Sequence, residues 1–416
     1  MIGQFAGALR GERKRDVLRR STIVGLVSFL TLIDLFGSQA LLPQLIEAYS
    51  ANPALMGLAV NASTFGMAVS GLVVAWFADR IDRKRGIWIS LVLLSVPTFF
   101  LGVVDSVSAF MALRVLQGVF MAAAFTLTLT YLSEQCDVTA AGGAMAAYIT
   151  GNVASNLLGR ILAVSTADYL GLTGSFWTFA ALNLCGAMLA YVLIGSRDSV
   201  PPERTGPPLQ AWRQHLSNPA LRVSFFLGFA ILFVFVGVFT YVNLYLTDDI
   251  GLDPALLGLV YLVFLPALIT TPYASRAVTR FGPQRVFQVA AGIAMVGVAI
   301  TLVQDLAPIL TGLALIGVST FFMQAAATGF VGRTATQNRA AANGLYLTSY
   351  YVGGLAGAFL LGWINTLGGW TAVAVIVLVV LVLMIPFTKA LAHPGPVVVP
   401  NAQARSATSE PTSDPS

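Results

Sequence analysis

Residues 52–60 read NPALMGLAV and residues 253–261 read DPALLGLVY. The same Pro-Ala-Leu-x-Gly-Leu opening recurs about 200 positions apart, and each copy heads a long apolar run. Two more pairs keep the offset and the order. DRIDRKR at 79–85 aligns with TRFGPQR at 279–285, placing Arg80 opposite Arg280, and YITGNVASNLLG at 148–159 aligns with YLTSYYVGGLAG at 346–357. Chance similarity between apolar runs would not preserve three matches in sequence, so the chain reads as the duplication of one unit.

The unit is a bundle of membrane helices. Of the 416 residues 57% are hydrophobic and only 10% charged, where a water-soluble domain carries roughly 25% charged residues. A span of hydrocarbon takes roughly 20 apolar residues, and twelve spans would consume about 240 residues and leave short loops. Runs bounded by charge, Gly and Pro predict spans at 21–44, 54–78, 86–104, 108–132, 141–166, 174–195, 221–246, 254–278, 286–304, 307–330, 341–364 and 370–390. The expected fold is all-α: twelve transmembrane helices in two six-helix bundles, 21–195 and 221–391. A basic N-terminal tail (1–20), a Pro-rich linker (196–220, with Pro201, Pro202, Pro207 and Pro208) and a disordered tail (392–416) complete the chain. The basic start followed by Ile23 resembles a signal peptide, yet the apolar run passes Leu42 with no small-residue cleavage site, so a retained first helix is expected.

Charge placement orients the bundle. The formal charge of +5 comes from short loops and not from one basic surface, so nucleic acid is not an expected partner. Arg80, Arg83, Lys84 and Arg85 follow helix 2; Arg197, Arg204, Arg213 and Arg222 follow helix 6; Arg276, Arg280 and Arg285 close helix 8; Arg333 and Arg339 follow helix 10. With the N-terminal tail, Lys389 and Arg405, these lie on one face. The opposite loops hold Glu47, Asp105, Asp168, Asp248, Asp249, Asp253 and Asp305 and no base. By the positive-inside tendency both termini are expected in the cytoplasm, the chain being a monomer whose partners are the bilayer and a small molecule. Cys136 and Cys185 show no metal-ligand spacing and no disulfide framework.

Several of these residues resemble the major facilitator superfamily, over essentially the whole chain. AWFADRIDRKRG at 75–86 resembles the family signature Gly-x-x-x-Asp-Arg-x-Gly-Arg-Lys, with Asp79, Arg80, Arg83 and Lys84 in register and Ala75 and Asp82 in place of two glycines. RVLQG at 114–118 is similar to the Arg-x-x-Gln-Gly motif of proton-coupled members, and Asp34 with ALLP at 40–43 looks like the helix 1 pattern of drug/proton antiporters. TYLSEQ at 130–135, YITGN at 148–152, LGR at 158–160 and LYLTSYYVGG at 345–354 resemble the bacterial YnfM-like permeases. GNVASNLLG at 151–159 departs from the antiporter pattern Gly-x-x-x-Gly-Pro-x-x-Gly, with Ser155 and Asn156 replacing Gly-Pro. The resemblance implies alternating access between two halves, and a cytoplasmic lock in which Asp79 faces the N-terminus of helix 11 near Ala341 while Arg83 reaches Glu134 or Asp137.

Only Asp34, Arg114 and Arg160 are ionisable and deep within predicted spans, where each charge costs at least ~2.5–3.5 kcal/mol on insertion scales. All three fall in the outer layer, which predicts one network with Asp34 between the two arginines. Asp34 is then the candidate proton carrier, its protonation releasing Arg114 and biasing the halves; a static ion pair is the plainer reading. Uncharged candidates for a substrate cavity are Gln117, Tyr148, Asn152, Asn156, Asn243, Gln324, Tyr346 and Tyr350, each of which packing would explain equally well. Tyr346 and Tyr350, four apart, share one helix face. One carboxylate among aromatics suits neutral or cationic amphipathic solutes, while the arginines leave an organic anion open.

The leading expectation is proton-coupled export of a small organic or drug-like solute, with the proton gradient as energy source and no cofactor. The alternatives are symport or facilitated uptake of a sugar or metabolite, and a membrane sensor without transport. An enzyme is disfavoured: there is no Gly-x-x-x-x-Gly-Lys-[Ser/Thr] loop, no metal cluster and no Ser/His/Asp set.

Overall fold

Backbone immersed in hydrocarbon must satisfy its own N–H and C=O groups, so apolar runs of this length fold as helices. A computed structural model of the protein describes residues 2–77, 81–135, 138–194, 208–253, 256–335 and 339–392, and these contain no strand. The spanning helices are α1 (Ile2–Ala40), α2 (Pro53–Phe77), α3 (Arg83–Leu101) and α4 (Val107–Gln135). Val138–Leu193 is broken at Gly171 (φ 72°, ψ 176°) into α5 and α6. In the second half come α7 (Pro219–Leu244), α8 (Leu265–Phe281, preceded by the short pieces Leu257–Val260 and Tyr261–Phe264), α9 (Pro283–Ile300) and α10 (Leu306–Thr334). Arg339–Phe387 is broken at Gly368 and Gly369 into α11 and α12. Ten described helices are long and apolar enough to cross a membrane, and the two broken ones cross twice, giving the twelve crossings expected.

Differences from expectation have local causes. Helix 1 stops at Ala40 and not near residue 44, because Pro43 has no N–H to give and crowds the preceding turn; the chain pauses at Leu41 and resumes as the short helix Leu42–Tyr49. Tyr49 pins that helix by donating to Val104 O (2.6 Å); burial, and then the Asp105 carboxylate, push its phenol above the ordinary range. Helix 1 also reaches back to Ile2, through the segment read as a basic tail. Within the predicted linker a helix, Pro208–Ser217, begins at a proline suited to a first turn. The rest of the linker, 195–207, and the tail, 393–416, lie outside the described residues.

The surface is inverted relative to a soluble protein. Phe99, Trp177, Met188, Trp363 and Leu383 face outward, while Asp34, Arg114, Gln117 and Arg160 are wholly inside. The repeat is also visible in the packing. A Cβ on Gly159 of α5 would press into the Ile33 carbonyl of α1, and a Cβ on Gly357 of α11 into the Phe233 carbonyl of α7. These glycines occupy matched places in the repeat, and their missing side chains let each helix pair approach closely. Gly159→Val and Gly357→Val should each cost about 1–3 kcal/mol through overpacking. Thermal unfolding of the purified variants measures this, and an unchanged melting temperature for both would contradict the close crossing.

Candidate transport site

Arg83 and Lys84 at the start of α3, Arg213 in Pro208–Ser217, Arg280 at the end of α8 and Arg333 at the end of α10 mark a basic face of the bundle, and Glu47, Asp105, Asp168 and Asp305, near the opposite helix ends, an acidic face. Three arrangements between the faces concern function.

The first surrounds Asp34. Its Oδ2 accepts from Gln117 Nε2 (2.7 Å) and Asn183 Nδ2 (3.1 Å) and lies 3.1 Å from Thr98 Oγ1, so α4, α6 and α3 converge on one carboxylate oxygen of α1. Gln117 turns its carbonyl the other way, accepting from Arg114 Nη1. The amide orientation follows from chemistry, since a guanidinium cannot donate to an NH₂ and a carboxylate cannot accept from a carbonyl. Arg114 also donates through Nε to Val60 O (2.8 Å) and through Nη2 to Ser63 Oγ (2.9 Å), both on α2. Asp34 Oδ1 is buried with no hydrogen-bond partner. The expected direct pairing of Asp34 with Arg114 is thus corrected: Gln117 stands between them, and for that reason does not line the cavity.

Arg160 builds a second, separate arrangement, so the expected layer of one acid between two arginines does not form. Its guanidinium sits 4.6 Å from the Tyr261 ring centroid and 5.6–5.7 Å from those of Phe36, Phe239 and Phe264. Nη1 donates to Phe239 O (3.2 Å) and Nη2 to Gln39 Oε1 (2.5 Å). Gln39 Nε2 donates onward to Asn61 Oδ1 (2.7 Å), Asn61 Nδ2 lies 3.3 Å from Thr240 Oγ1, and Asn243 donates to Gln39 O (3.1 Å) while accepting from the Tyr261 hydroxyl. Arg160, Gln39 and Asn61 belong to the first half; Phe239, Thr240, Asn243, Tyr261 and Phe264 belong to the second. The cluster therefore ties the halves together near the acidic face. Phe239 ends an aromatic run of α7 that begins at Phe225, much of which is buried core.

Third is a narrow cavity of about 30 Å³ between the halves, room for a water or two in this closed form, walled by Phe36, Phe125, Phe235, Phe321 and Leu347, with Gln39 among its lining residues. Of the residues expected there, Asn152, Asn156, Gln324 and Tyr350 line it. Tyr148 instead donates to Phe125 O (3.1 Å), Tyr346 packs on Gly228 beside Tyr350, and Asn243 belongs to the Arg160 cluster. The carbonyl oxygens of Asn152, Asn156 and Gln324 have no protein partner and are free to accept. Asp34 does not line the cavity, for it faces α3 and α6 inside the first half. A carboxylate in the cavity wall, which would favour cations, is therefore absent among the described residues.

Of the expected lock at the basic face, Asp79, Arg80 and Asp137 and the side chain of Glu134 lie outside the described residues. Arg83 donates to Ile81 O (2.9 Å) among its bonds, and Lys84 lies over the Tyr191 ring (5.3 Å) of α6. Asp82, which replaces a signature glycine, caps α3 by accepting from Arg85 N (2.7 Å).

Sequence reading passed over Gln39, Asn61, Thr98, Asn183 and Tyr261. All are polar groups inside apolar runs, and that was their signal: in hydrocarbon such a group is retained where it finds a partner.

A twelve-helix inverted bundle, repeated by halves around one cavity, is the architecture that comparison now identifies. The family model described as Major Facilitator Superfamily matches residues 24–264 and 241–413. The chain belongs to this family. It is 27% identical over 350 residues to the uncharacterized MFS-type transporter YybF of Bacillus subtilis (strain 168), covering 82% of this chain and 87% of that one. It is 26% identical over 364 residues to the inner membrane transport protein YnfM of Escherichia coli (strain K12), 86% of each chain being covered. Among solved structures its fold is similar, with a TM-score of 0.70 at 13% identity, to a bacterial homolog of the human lysosomal transporter Spinster in an inward-facing and occupied conformation, over 91% of this chain and 97% of that one. As a major facilitator the chain is a multi-pass membrane transporter and not an enzyme.

Proposed function

We propose that this transporter exports a small organic solute across the bacterial inner membrane in exchange for protons, both termini lying in the cytoplasm. The observation that carries the alternating-access part is the cavity between the halves, closed towards the acidic face by bonds made from one half to the other. Such bonds break when the halves rock, which opens that end.

The proton's place is Asp34. Its Oδ1 is buried and unpartnered, an arrangement that is costly for a carboxylate and relieved by a proton. Neutralising Asp34 weakens its hold on Gln117, and Gln117 holds Arg114, whose remaining donors grip α2 at Val60 and Ser63. α2 in turn touches the second half, where Thr348 of α11 donates to Ala68 O (3.1 Å) and Gly57 packs under Tyr241 of α7. Titration at Asp34 is thereby linked mechanically to the seam between the halves. The basic-loop asymmetry and the YnfM relative support the inner-membrane placement.

Inverted vesicles with an imposed pH gradient test this reading against a panel of labelled anionic, neutral and cationic organic solutes. Accumulation of at least one solute should follow the gradient and lose that dependence in Asp34→Asn. Flux indifferent both to the gradient and to Asp34→Asn would refute proton coupling; flux in the same direction as the protons would make the protein a symporter.

A further inference from the structure

We infer that Arg160 is the anion-recognition residue of the cavity, and that the solute is an amphipathic organic anion carrying one oxyanion group on an apolar body. This rests on the transport reading above and specifies its substrate class.

The argument is one of charge. Among the described residues three charged side chains, Asp34, Arg114 and Arg160, are completely enclosed, and two of them, Asp34 and Arg114, offset each other through Gln117. Arg160 is left over. Its polar partners among the described residues are uncharged: one backbone carbonyl, one amide oxygen and the Tyr261 hydroxyl. Its Nε, wholly buried, has no hydrogen-bond partner at all. A guanidinium without a counter-charge in a low-dielectric interior is costly, and rings at about 5 Å offset only part of that cost.

Geometry directs the missing charge to the cavity. Arg160 lies just behind the cavity wall in this closed form: Gln39 and Phe36 touch the guanidinium and line the cavity, and Asn156, one helical turn before Arg160 on α5, lines it too. An oxyanion reaching that end replaces the Gln39 amide at Nη2 and takes up the free Nε, the paired donors that a carboxylate, sulfonate or phosphate accepts in fork geometry. The apolar body lies along Phe235 and Phe321, and the unpartnered carbonyls of Asn152 and Gln324 accept from any hydroxyl or amine it bears. Because Arg160 is held by Phe239, Tyr261 and Phe264 of the second half, drawing it towards an anion loosens the same bonds that close the acidic face. Recognition and opening are then one event.

The test uses the full chain in lipid nanodiscs and three probes of matched shape: 4-phenylbutyrate, 4-phenylbutyramide and 4-phenylbutylamine. Calorimetric titration of the wild type should show the carboxylate binding about tenfold or more tighter than the amide, and the amine weakest. Arg160→Gln should bring the carboxylate to within about twofold of the amide, and Arg160→Lys, which keeps the charge but not the fork, should fall between. If Arg160→Gln does not fold, Arg160→Lys decides, with an unchanged anion preference counting against the inference. Equal binding of the three probes by the wild type, no binding of the carboxylate, or a preference that survives both substitutions overturns it. Counterflow of labelled 4-phenylbutyrate in proteoliposomes separates the two readings. Arg160-dependent binding without counterflow retains the site and rejects transport; counterflow of the amide or amine, indifferent to Arg160, retains transport and rejects the site.

Discussion

A disulfide between Val164→Cys and Gly258→Cys is expected to form readily and to stop transport completely, returning it on reduction. A Cβ at Gly258, in the lead-in to α8, would lie 3.4 Å from Val164 Cβ on α5, close to the ~3.5–4.5 Å separation of bridged cysteines. The pair joins opposite halves one turn beyond Arg160, so it locks shut the end of the cavity that alternating access must open. Cys136 and Cys185 are first replaced by Ser to leave the new pair alone. Arg160→Ala in the same background removes the hydrogen bond to Phe239 O and the three ring contacts, to Phe239, Tyr261 and Phe264, by which Arg160 holds the halves together at this end. At about 2–3 kcal/mol for their net sum, the closed form should lose about 30- to 150-fold in population. Cross-linking should slow accordingly and labelling of Val164→Cys by an impermeant maleimide should rise. Undiminished transport after full oxidation would show that this end does not open. Equal cross-linking rates with and without Arg160 would show that the aromatic box is not what closes it.

The parts of this molecule legible in the sequence are those set by solvent and by duplication. Twelve crossings follow from apolar length, and the halves from three aligned segments, because lipid leaves the backbone no alternative to helix and the repeat copies the solution. Helix 8 shows where that legibility ends. Its first turn is cut into Leu257–Val260 and Tyr261–Phe264 just before Pro266, and this irregular stretch is what presents Tyr261 and Phe264 to Arg160. Nothing in an apolar run announces which face it turns. Asp34 and Arg160 illustrate the same point: both were readable as buried, outer-layer charges, and only the rotation of α1 and α5 sends one into the bundle and the other to the seam. The sequence pattern gives depth along a helix well and azimuth poorly, and azimuth decides whether a charge meets substrate or scaffold. Gln117 was likewise readable as part of RVLQG but not as a bridge, since its role depends on an amide turning opposite ends to an acid and a base on different helices.

Arg114→Ala should be the most destabilising single substitution in the first half, and Asp34→Asn should partly rescue it. Removing the guanidinium strips Val60 O, Ser63 Oγ and Gln117 Oε1 of a donor and leaves Asp34 as a lone buried carboxylate. Breaking a buried pair from one side costs about 3–5 kcal/mol, enough to remove most of the folded protein from a detergent extract. Adding Asp34→Asn removes the stranded charge while keeping an oxygen able to accept from Gln117 and Asn183. The double variant should then melt higher than Arg114→Ala alone, a sign opposite to simple addition, with a coupling of about 1–3 kcal/mol across the amide. Gln117→Leu makes the complementary cut, since both charges remain while their connection is lost, and it should weaken the coupling without changing net charge. The sign matters beyond stability. If the double variant melts lower than either single one, Asp34 and Arg114 do not sense each other through Gln117. A proton arriving at Asp34 would then have no route to α2, and the coupling proposed for this transporter would have to run through another residue.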